Sequence, residues 1–261
     1  MGLPNPGVEE EVALLREARR LLDPLEVPLI ASIAADTVED FGRAAAIVSD
    51  ARPALIEVNI SCPNVESSGE MFASSAEAAA AVTRQVKAAT QVPCLVKLSP
   101  NVPDIAAVAR AVEEAGAAGI TAINTMPGML IDAESGAPVL ANSSGGVSGA
   151  ALKPIALRCV FEIAAAVTVP IVGTGGVLTG TDAVEMLSAG AAAVGVGSVI
   201  VQRGPRAIAL VLEELHQWLQ DHELAGLDAV RGRAHARARG GSSAAVTNPP
   251  PVPGWETHHA G

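Results

Sequence analysis

A thiol flanked by two carboxamides is the strongest chemical signal in this sequence. Cys62 lies between Asn59 and Asn64 in the segment Asn-Ile-Ser-Cys-Pro-Asn, which follows an apolar run at residues 54–58. A cysteine with a lowered pKa can act as a base or a nucleophile. Asparagine side chains offer the paired donors and acceptors that hold an amide-rich ring. The alternative interpretation is a turn-forming loop that contains a buried thiol.

Composition leaves few other groups for proton transfer. The sequence has no tyrosine, and its five histidines all lie from His216 onward, in the predicted last helix or after it. Acid–base chemistry at the predicted strand ends therefore falls to Cys, Lys, Asp or Glu. The three cysteines lack metal-ligand spacing, so we expect no metal site and no iron–sulfur cluster held by this chain alone.

Charge and hydropathy exclude several classes of partner. A net charge of −11 argues against nucleic acid. The sequence shows no apolar stretch of membrane-spanning length and no signal-peptide pattern, so we expect no membrane partner. Its three widely spaced cysteines suit the reducing cytoplasm. Residues 239–261 are rich in Gly, Ser and Pro, and we expect a disordered tail there.

Apolar runs alternate with alanine-rich amphipathic segments, which predicts βα crossover units and a parallel sheet. The runs lie at residues 28–34, 54–60, 93–98, 119–124, 170–173 and 191–197, and the helical segments at 9–22, 38–48, 76–89, 105–115, 155–166, 181–189 and 205–222. Six strands suit an open doubly wound sheet, whereas a closed barrel needs eight. Polar motifs just past the strand ends favour the barrel.

Two further strand ends carry polar side chains. Lys97 lies near the end of the third run, and because an unpaired buried ammonium is costly, we expect it to meet an anion. The alternative is a lysine that extends past the rim of the barrel. Asn124 and Thr125 follow the next run and would add a carboxamide and a hydroxyl to the same edge, although such a pair also starts turns.

Glycines follow the last two predicted strands, in Gly173-Thr174-Gly175-Gly176 and Gly195-Val196-Gly197-Ser198. Backbone amides at such positions can surround a phosphate, and barrel enzymes often bind phosphate there. The segment at residues 145–149 could supply more amides, while turn geometry alone is the alternative for each glycine pair. We interpret residues 63–75 as a mobile lid and residues 126–149 as a long loop over the barrel mouth.

Taken in order, these motifs resemble those of the dihydroorotate dehydrogenases, which are FMN enzymes on a TIM (β/α)8 barrel. The matching segments lie at residues 59–64, 96–100, 123–125, 145–154, 173–176 and 194–198, and the opening Met-Gly-Leu-Pro-Asn-Pro-Gly resembles the family's substrate loop. The resemblance implies an FMN-binding domain over residues 1–238 with about six of the eight βα units. We expect the two missing units to reflect a misassigned start.

The resemblance also implies a reaction, namely oxidation of (S)-dihydroorotate to orotate in pyrimidine biosynthesis. Cys62 would be the base at C5, with hydride passing from C6 to flavin N5. The implied substrate-binding residues are Met1, Gly2, Leu3, Asn59, Asn64, Asn124 and Thr125. The implied FMN-binding residues are Ser32, Asn59, Lys97, Ile123, Gly149, Gly175, Gly176, Gly197 and Ser198, with Lys97 at the N1/O2 edge and the last four around the phosphate.

Within that family, a cysteine base indicates the cytosolic class, and residues 124–129 resemble the NAD-linked branch. That branch passes electrons to a separate FAD and iron–sulfur subunit, and a homodimer is also implied. Two alternatives stay open. One is a related flavin barrel acting on another dihydropyrimidine, and the other is a non-catalytic remnant that binds FMN or phosphate.

Overall fold

A computed structural model describes residues 5–61 and 75–238, and these form a parallel sheet with helices between its strands. The sheet contains β1 (Ile30–Ile33), β2 (Leu55–Asn59), β3 (Cys94–Leu98), β4 (Gly119–Ala122), β7 (Ile171–Thr174) and β8 (Ala193–Gly195), and a separate hairpin contains β5 (Met126–Gly128) and β6 (Gly145–Val147). The helices are α1 (Val8–Leu22), α2 (Val38–Ser49), α3 (Ala76–Ala89), α4 (Ile105–Glu114), α5 (Lys153–Ala164), α6 (Gly180–Ser188), α7 (Val199–Arg203), α8 (Ala207–Asp221) and α9 (Arg233–Ala238). None of these helices is long and apolar enough to cross a bilayer.

The strand order decides between the two predicted architectures. The six strands follow one another as β1-β2-β3-β4-β7-β8, and every neighbouring pair is parallel. A doubly wound sheet reverses its direction of growth at a switch point, whereas this sheet always grows on the same side. The result is a curled half-barrel, which confirms the incomplete TIM barrel and excludes the doubly wound sheet.

The two faces of the sheet have different chemistry. On β2, Ile56 and Val58 are fully buried in the main core with the helices, while Glu57 and Asn59 point to the concave face and are half-buried. Alternation along a strand produces this division. At the amino-terminal end of the concave face, Leu55 and Leu95 form a small apolar cluster with Val172. On the concave face, polar side chains therefore begin with the next inward-pointing residue after this apolar cluster, towards the carboxyl ends of the strands.

Most predicted elements match the structure, and α3 spans the predicted residues 76–89. Its first turn is capped by Ser75, whose side chain accepts a hydrogen bond from the amide of Ala78 at 3.1 Å. The region predicted as a loop at 126–149 instead contains the β5–β6 hairpin, in which Met126 pairs with Val147. The short helices α7 and α9 were not predicted.

Helix α9 closes the described part of the chain against α5 and α6. His235 is only 4% exposed, and its ring stacks on Phe161 with 3.9 Å between centroids. His235 Nε2 lies 2.9 Å from the carbonyl oxygen of Ala189. The division into a domain of residues 1–238 and a tail stays a prediction, because residues 239–261 lie outside the described residues.

Candidate active site

A cavity lies at the carboxyl ends of the strands, as the motif positions predict. Its described lining comes from the ends of β3, β4, β7 and β8 and from the loops after them. The lining residues are Lys97, Ile123, Asn124, Thr125, Ser148, Gly149, Leu152, Thr174, Gly175, Gly176, Val177, Gly195, Gly197 and Ser198. Nine of the predicted site residues are therefore brought together, although they span 102 positions of sequence from Lys97 to Ser198.

Other predicted site residues have different surroundings. Asn59 and Ser32 lie on the concave face beside the cavity rather than in its lining. Met1, Gly2, Leu3, Cys62 and Asn64 lie outside the described residues, as does most of the predicted lid at 63–75. The roles of all these residues stay predictions.

The turn after β7 requires glycine at two consecutive positions. Gly175 and Gly176 have φ values of +124° and +75°, a region that disfavours other residues. A Cβ on Gly176 would lie 2.6 Å from the backbone nitrogen of Lys153, so the turn packs directly on the start of α5. By contrast, a Cβ on Gly197 would meet nothing within 4 Å. The backbone at Gly197 therefore faces open space.

Several backbone amides around this turn are available to a ligand. Within the described residues, nothing accepts a hydrogen bond from the amides of Gly176, Gly197 or Ser198. Buried backbone amides are almost always paired, and unpaired ones that line a cavity are suited to an anion. These three amides therefore suit an anionic group such as a phosphate.

A half-buried ion pair, called here the pocket floor, joins Lys97 of the cavity lining to Glu57 on the neighbouring strand β2. Lys97 Nζ is 3.4 Å from Glu57 Oε1, and the Ser32 hydroxyl donates to the same oxygen at 3.1 Å. The expected anion near Lys97 is thus a carboxylate of this chain. Glu57 was not among the predicted site residues, although the sequence contains a signal for it: Glu57 and Asn59 are two residues apart on one strand and so share a face.

Two carboxamides lie side by side above this floor. Asn59 Oδ1 accepts a hydrogen bond from the amide of Ser61 at 3.2 Å and a longer one from Asn124 Nδ2 at 3.5 Å. The backbone amide of Asn124 donates to the Leu98 carbonyl at 2.9 Å, which anchors the second carboxamide. The ends of β2 and β4 therefore present two neighbouring carboxamides, which together can donate hydrogen bonds to a polar ring and accept hydrogen bonds from it.

The two cysteines in the described residues are structural. Cys94 and Cys159 are both buried in the core, and burial raises the pKa of each thiol. Neither lines the cavity. Cys62, the third cysteine of the sequence, lies outside the described residues, and its role as a base stays a prediction.

A second ion-pair cluster lies behind the glycine turn. Lys153 Nζ is 2.5 Å from Asp182 Oδ1 and 2.8 Å from Glu185 Oε2. Hydrogen bonds to these two carboxylates raise the pKa of Lys153. Burial opposes ionisation of Asp182, but bonds from Lys153, Leu178 and Thr179 outweigh it and lower the pKa of that carboxyl. No group of His, Cys, Asp and Glu within residues 5–61 and 75–238 has the arrangement of a metal site.

Comparison with known proteins identifies the family. The sequence model of the family described as dihydroorotate dehydrogenase matches residues 1–219. The chain belongs to the dihydroorotate dehydrogenase family. The catalytic subunit of dihydroorotate dehydrogenase B (NAD(+)) from Geobacillus kaustophilus is 48% identical over 199 residues, which cover 76% of this chain and 63% of that protein.

Members of this family with two different names are similar to the chain. The protein from Shouchella clausii, also a dihydroorotate dehydrogenase B (NAD(+)) catalytic subunit, is 42% identical over 89% of this chain and 75% of its own length. The dihydroorotate dehydrogenase A (fumarate) of Lacticaseibacillus paracasei is 49% identical over 82% of this chain and 74% of its own length. The chain thus spans between three fifths and four fifths of the length of these relatives.

Proposed function

We propose that this chain carries the catalytic site of a dihydroorotate dehydrogenase, which oxidises (S)-dihydroorotate to orotate with FMN in pyrimidine biosynthesis. The observation that carries the proposal is the cavity itself. In a chain of this family, one pocket gathers unpaired backbone amides from two glycine segments, a strand-end lysine and a carboxamide. Together these groups suit a phosphate, a redox ring and an imide.

The FMN site would combine the two glycine segments with the ion pair at the floor. When bound, FMN accepts the hydride that leaves the substrate. Gly175, Gly176, Gly197 and Ser198 would hold its phosphate, while Lys97 supplies a positive charge where negative charge develops at the N1/O2 edge. Ile123, Gly149, Asn59 and Ser32 complete the proposed set.

The substrate site would use the carboxamides and the loop that carries the thiol. Asn59, Asn64, Asn124 and Thr125 would hold the ring and carboxylate, and residues 1–3 would close one side. Cys62 would take the proton from C5. Lys97 is the only titratable side chain in the described lining, and the carboxylate beside it, Glu57, is already paired with Lys97 and Ser32. The described lining offers no histidine or tyrosine for the role of base.

We also propose that electrons leave through a partner subunit. The names of the NAD(+) relatives describe catalytic subunits, and the cysteines of this chain lack the spacing for an iron–sulfur cluster. A homodimer in the cytoplasm is the proposed assembly. Reoxidation of the reduced chain by fumarate alone, at the rate of substrate reduction, would instead assign it to the fumarate-linked branch.

An anaerobic reduction experiment tests the reaction. Protein loaded with FMN is mixed with (S)-dihydroorotate in the absence of oxygen, and the visible absorption of the oxidised flavin should disappear as the substrate reduces it. Dihydrouracil at the same concentration serves as the comparison substrate. Faster bleaching by dihydrouracil would favour a related dihydropyrimidine enzyme, and bound FMN that neither compound reduces would favour the non-catalytic alternative.

A further inference from the structure

We propose that the Lys153–Asp182 ion pair positions the phosphate-binding turn at Gly175 and Gly176 and so determines the affinity for the phosphate of FMN. This inference rests on the proposed FMN site. Asp182 is 8% exposed and accepts hydrogen bonds with both carboxylate oxygens. Neither Lys153 nor Asp182 belongs to the cavity lining, so both would act as positioning residues.

Asp182 holds two separate elements through its two oxygens. Its Oδ2 accepts hydrogen bonds from the amides of Leu178 and Thr179 at 2.9 and 2.8 Å and from the Thr179 hydroxyl at 2.9 Å. Its Oδ1 accepts from Lys153 Nζ at 2.5 Å. One carboxylate therefore connects the segment that leaves the turn to the first residue of α5.

The turn itself lies between these two attachments. The backbone of Gly176 is so close to Lys153 and Gly149 that a Cβ there would lie 2.6 Å from the Lys153 nitrogen and 2.9 Å from the Gly149 oxygen. Residues 175 and 176 are thus enclosed by the start of α5 on one side and by the anchored Leu178 on the other. Losing the ion pair would disconnect the start of α5 from the segment held at Leu178 and so change the direction of the unpaired amide of Gly176.

Because Asp182 carries a negative charge, the direction in which Asp182→Asn changes FMN affinity distinguishes a charge effect from a positioning effect. Besides Asp182, Glu185 contacts Lys153 at 2.8 Å, and beyond it the amide of Gly180 donates to Glu214, which pairs with Arg203. If charge alone mattered, Asp182→Asn would remove a negative charge near a bound phosphate and tighten FMN binding. A positioning role predicts the opposite sign.

The test compares FMN with riboflavin, which lacks the phosphate, by titrating the flavin-free protein and following flavin fluorescence. We expect Asp182→Asn to weaken FMN binding about tenfold, comparable to losing one charge-assisted hydrogen bond, and to leave riboflavin affinity within about twofold. Lys153→Gln keeps the bonds from Leu178 and Thr179 and should also lower the FMN-to-riboflavin affinity ratio. Because loss of a positive charge alone would lower it too, this variant is titrated at low and high salt: a loss of positioning should persist at high salt, whereas screening should remove a loss due to charge. This comparison decides the matter if Asp182→Asn does not fold, and a ratio restored by salt counts against positioning.

Glu113→Gln is the matched control. Glu113 Oε1 accepts hydrogen bonds from the amides of Thr168 and Val169 at 2.7 and 3.0 Å, at the opposite end of β7. This variant makes the same charge change and should not alter the affinity ratio. An unchanged or higher ratio in Asp182→Asn, or an unchanged ratio in Lys153→Gln, overturns the inference while FMN binding by the unchanged chain still supports the proposed function. No FMN binding by the unchanged chain overturns both.

Discussion

Lys97 and Glu57 together set the charge at one point of the pocket floor. The ammonium lies 3.4 Å from a carboxylate oxygen that also accepts a hydrogen bond from Ser32. A carboxylate at this distance offsets part of the field of the ammonium, and partial exclusion from water limits screening by salt. The floor is therefore less positive than Lys97 alone would make it.

Removing the carboxylate charge should consequently raise the midpoint potential of bound FMN. Glu57→Gln keeps a hydrogen-bonding side chain but leaves the charge of Lys97 uncompensated, which stabilises negative charge on the reduced ring. We expect a rise of roughly 30 mV, equivalent to about 1.4 kcal/mol for a two-electron couple. Equilibration with a reference dye measures the midpoint. Lys97→Met should lower it, and a fall in Glu57→Gln would contradict this electrostatic role.

Cys62→Ala should separate binding from catalysis. If the thiol is the base at C5, its loss should slow flavin reduction by dihydroorotate roughly 100- to 10,000-fold, the usual contribution of a positioned base. Affinity for FMN should be unchanged, as should reduction by dithionite, which needs no base. Stopped-flow absorbance measures both reductions. Equal slowing with dithionite would show damage to the FMN site, and no slowing with dihydroorotate would eliminate Cys62 as the base.

At the scale of elements, Asp182 ties the start of α6 to the start of α5, and its ionisation should make this connection depend on pH. The structure lowers the pKa of Asp182, so its contribution is present above the pKa of the unfolded chain, about 3.9, and is lost as pH falls through the lower folded value. Lys153 has a raised pKa, so its contribution is lost only at strongly alkaline pH.

Asp182→Asn should therefore cost stability at neutral pH and much less in acid. We expect the free energy of unfolding to fall by about 1–3 kcal/mol at pH 7, because a partly buried charged acceptor is lost. The difference from the unchanged chain should shrink as pH approaches 3. Urea denaturation at several pH values measures it. A difference that is constant with pH would mean that the ionised form of Asp182 is not what stabilises the two helix starts.

Sequence periodicity was sufficient for most elements but not for the hairpin. Helix α3 is capped by Ser75 and ends where its amphipathic pattern ends, so local signals define it. Strand β6 begins with Gly145 and Gly146, which have no side chains to show an alternating pattern. Its pairing with β5 closes a connection of 16 residues, from 129 to 144. Such a pairing depends on contacts between segments that local sequence does not encode.

In the site, too, some residues could be predicted from local sequence and others could not. Lys97, Asn124 and the two glycine segments were identifiable because each lies at or just past the end of a predicted strand, and parallel strands bring their carboxyl ends together. The residues that form ion pairs with them or support them could not be identified from the sequence. Glu57 was hidden inside an apolar run, and Lys153 and Asp182 are 29 positions apart on different helices. Only the strand register and the helix packing bring such pairs into contact.

In the described part of the molecule, the groups available to a ligand and the contacts that hold α9 lie at opposite ends of the sheet. The carboxyl ends of the strands carry the unpaired amides and the carboxamides. At the other end, α9 returns to α6, where the ring of His235 stacks on Phe161 and bonds to the carbonyl of Ala189. Barrel enzymes characteristically bind ligands at the first end, while the second serves stability.

His235→Ala tests this separation. It removes a buried ring and leaves the Ala189 carbonyl without its partner, so we expect a loss of about 2 kcal/mol and a fall in Tm of roughly 4 to 8 °C. Affinity for FMN should not change, because His235 lies at the end of the sheet opposite the glycine segments.

His216→Ala is the control: that side chain is exposed on α8, and its loss should change stability by less than about 0.5 kcal/mol. Thermal denaturation and FMN titration of both variants measure the two effects. Equal Tm values would show that α9 does not hold this end of the barrel, whereas weaker FMN binding in His235→Ala alone would show that the two ends are coupled.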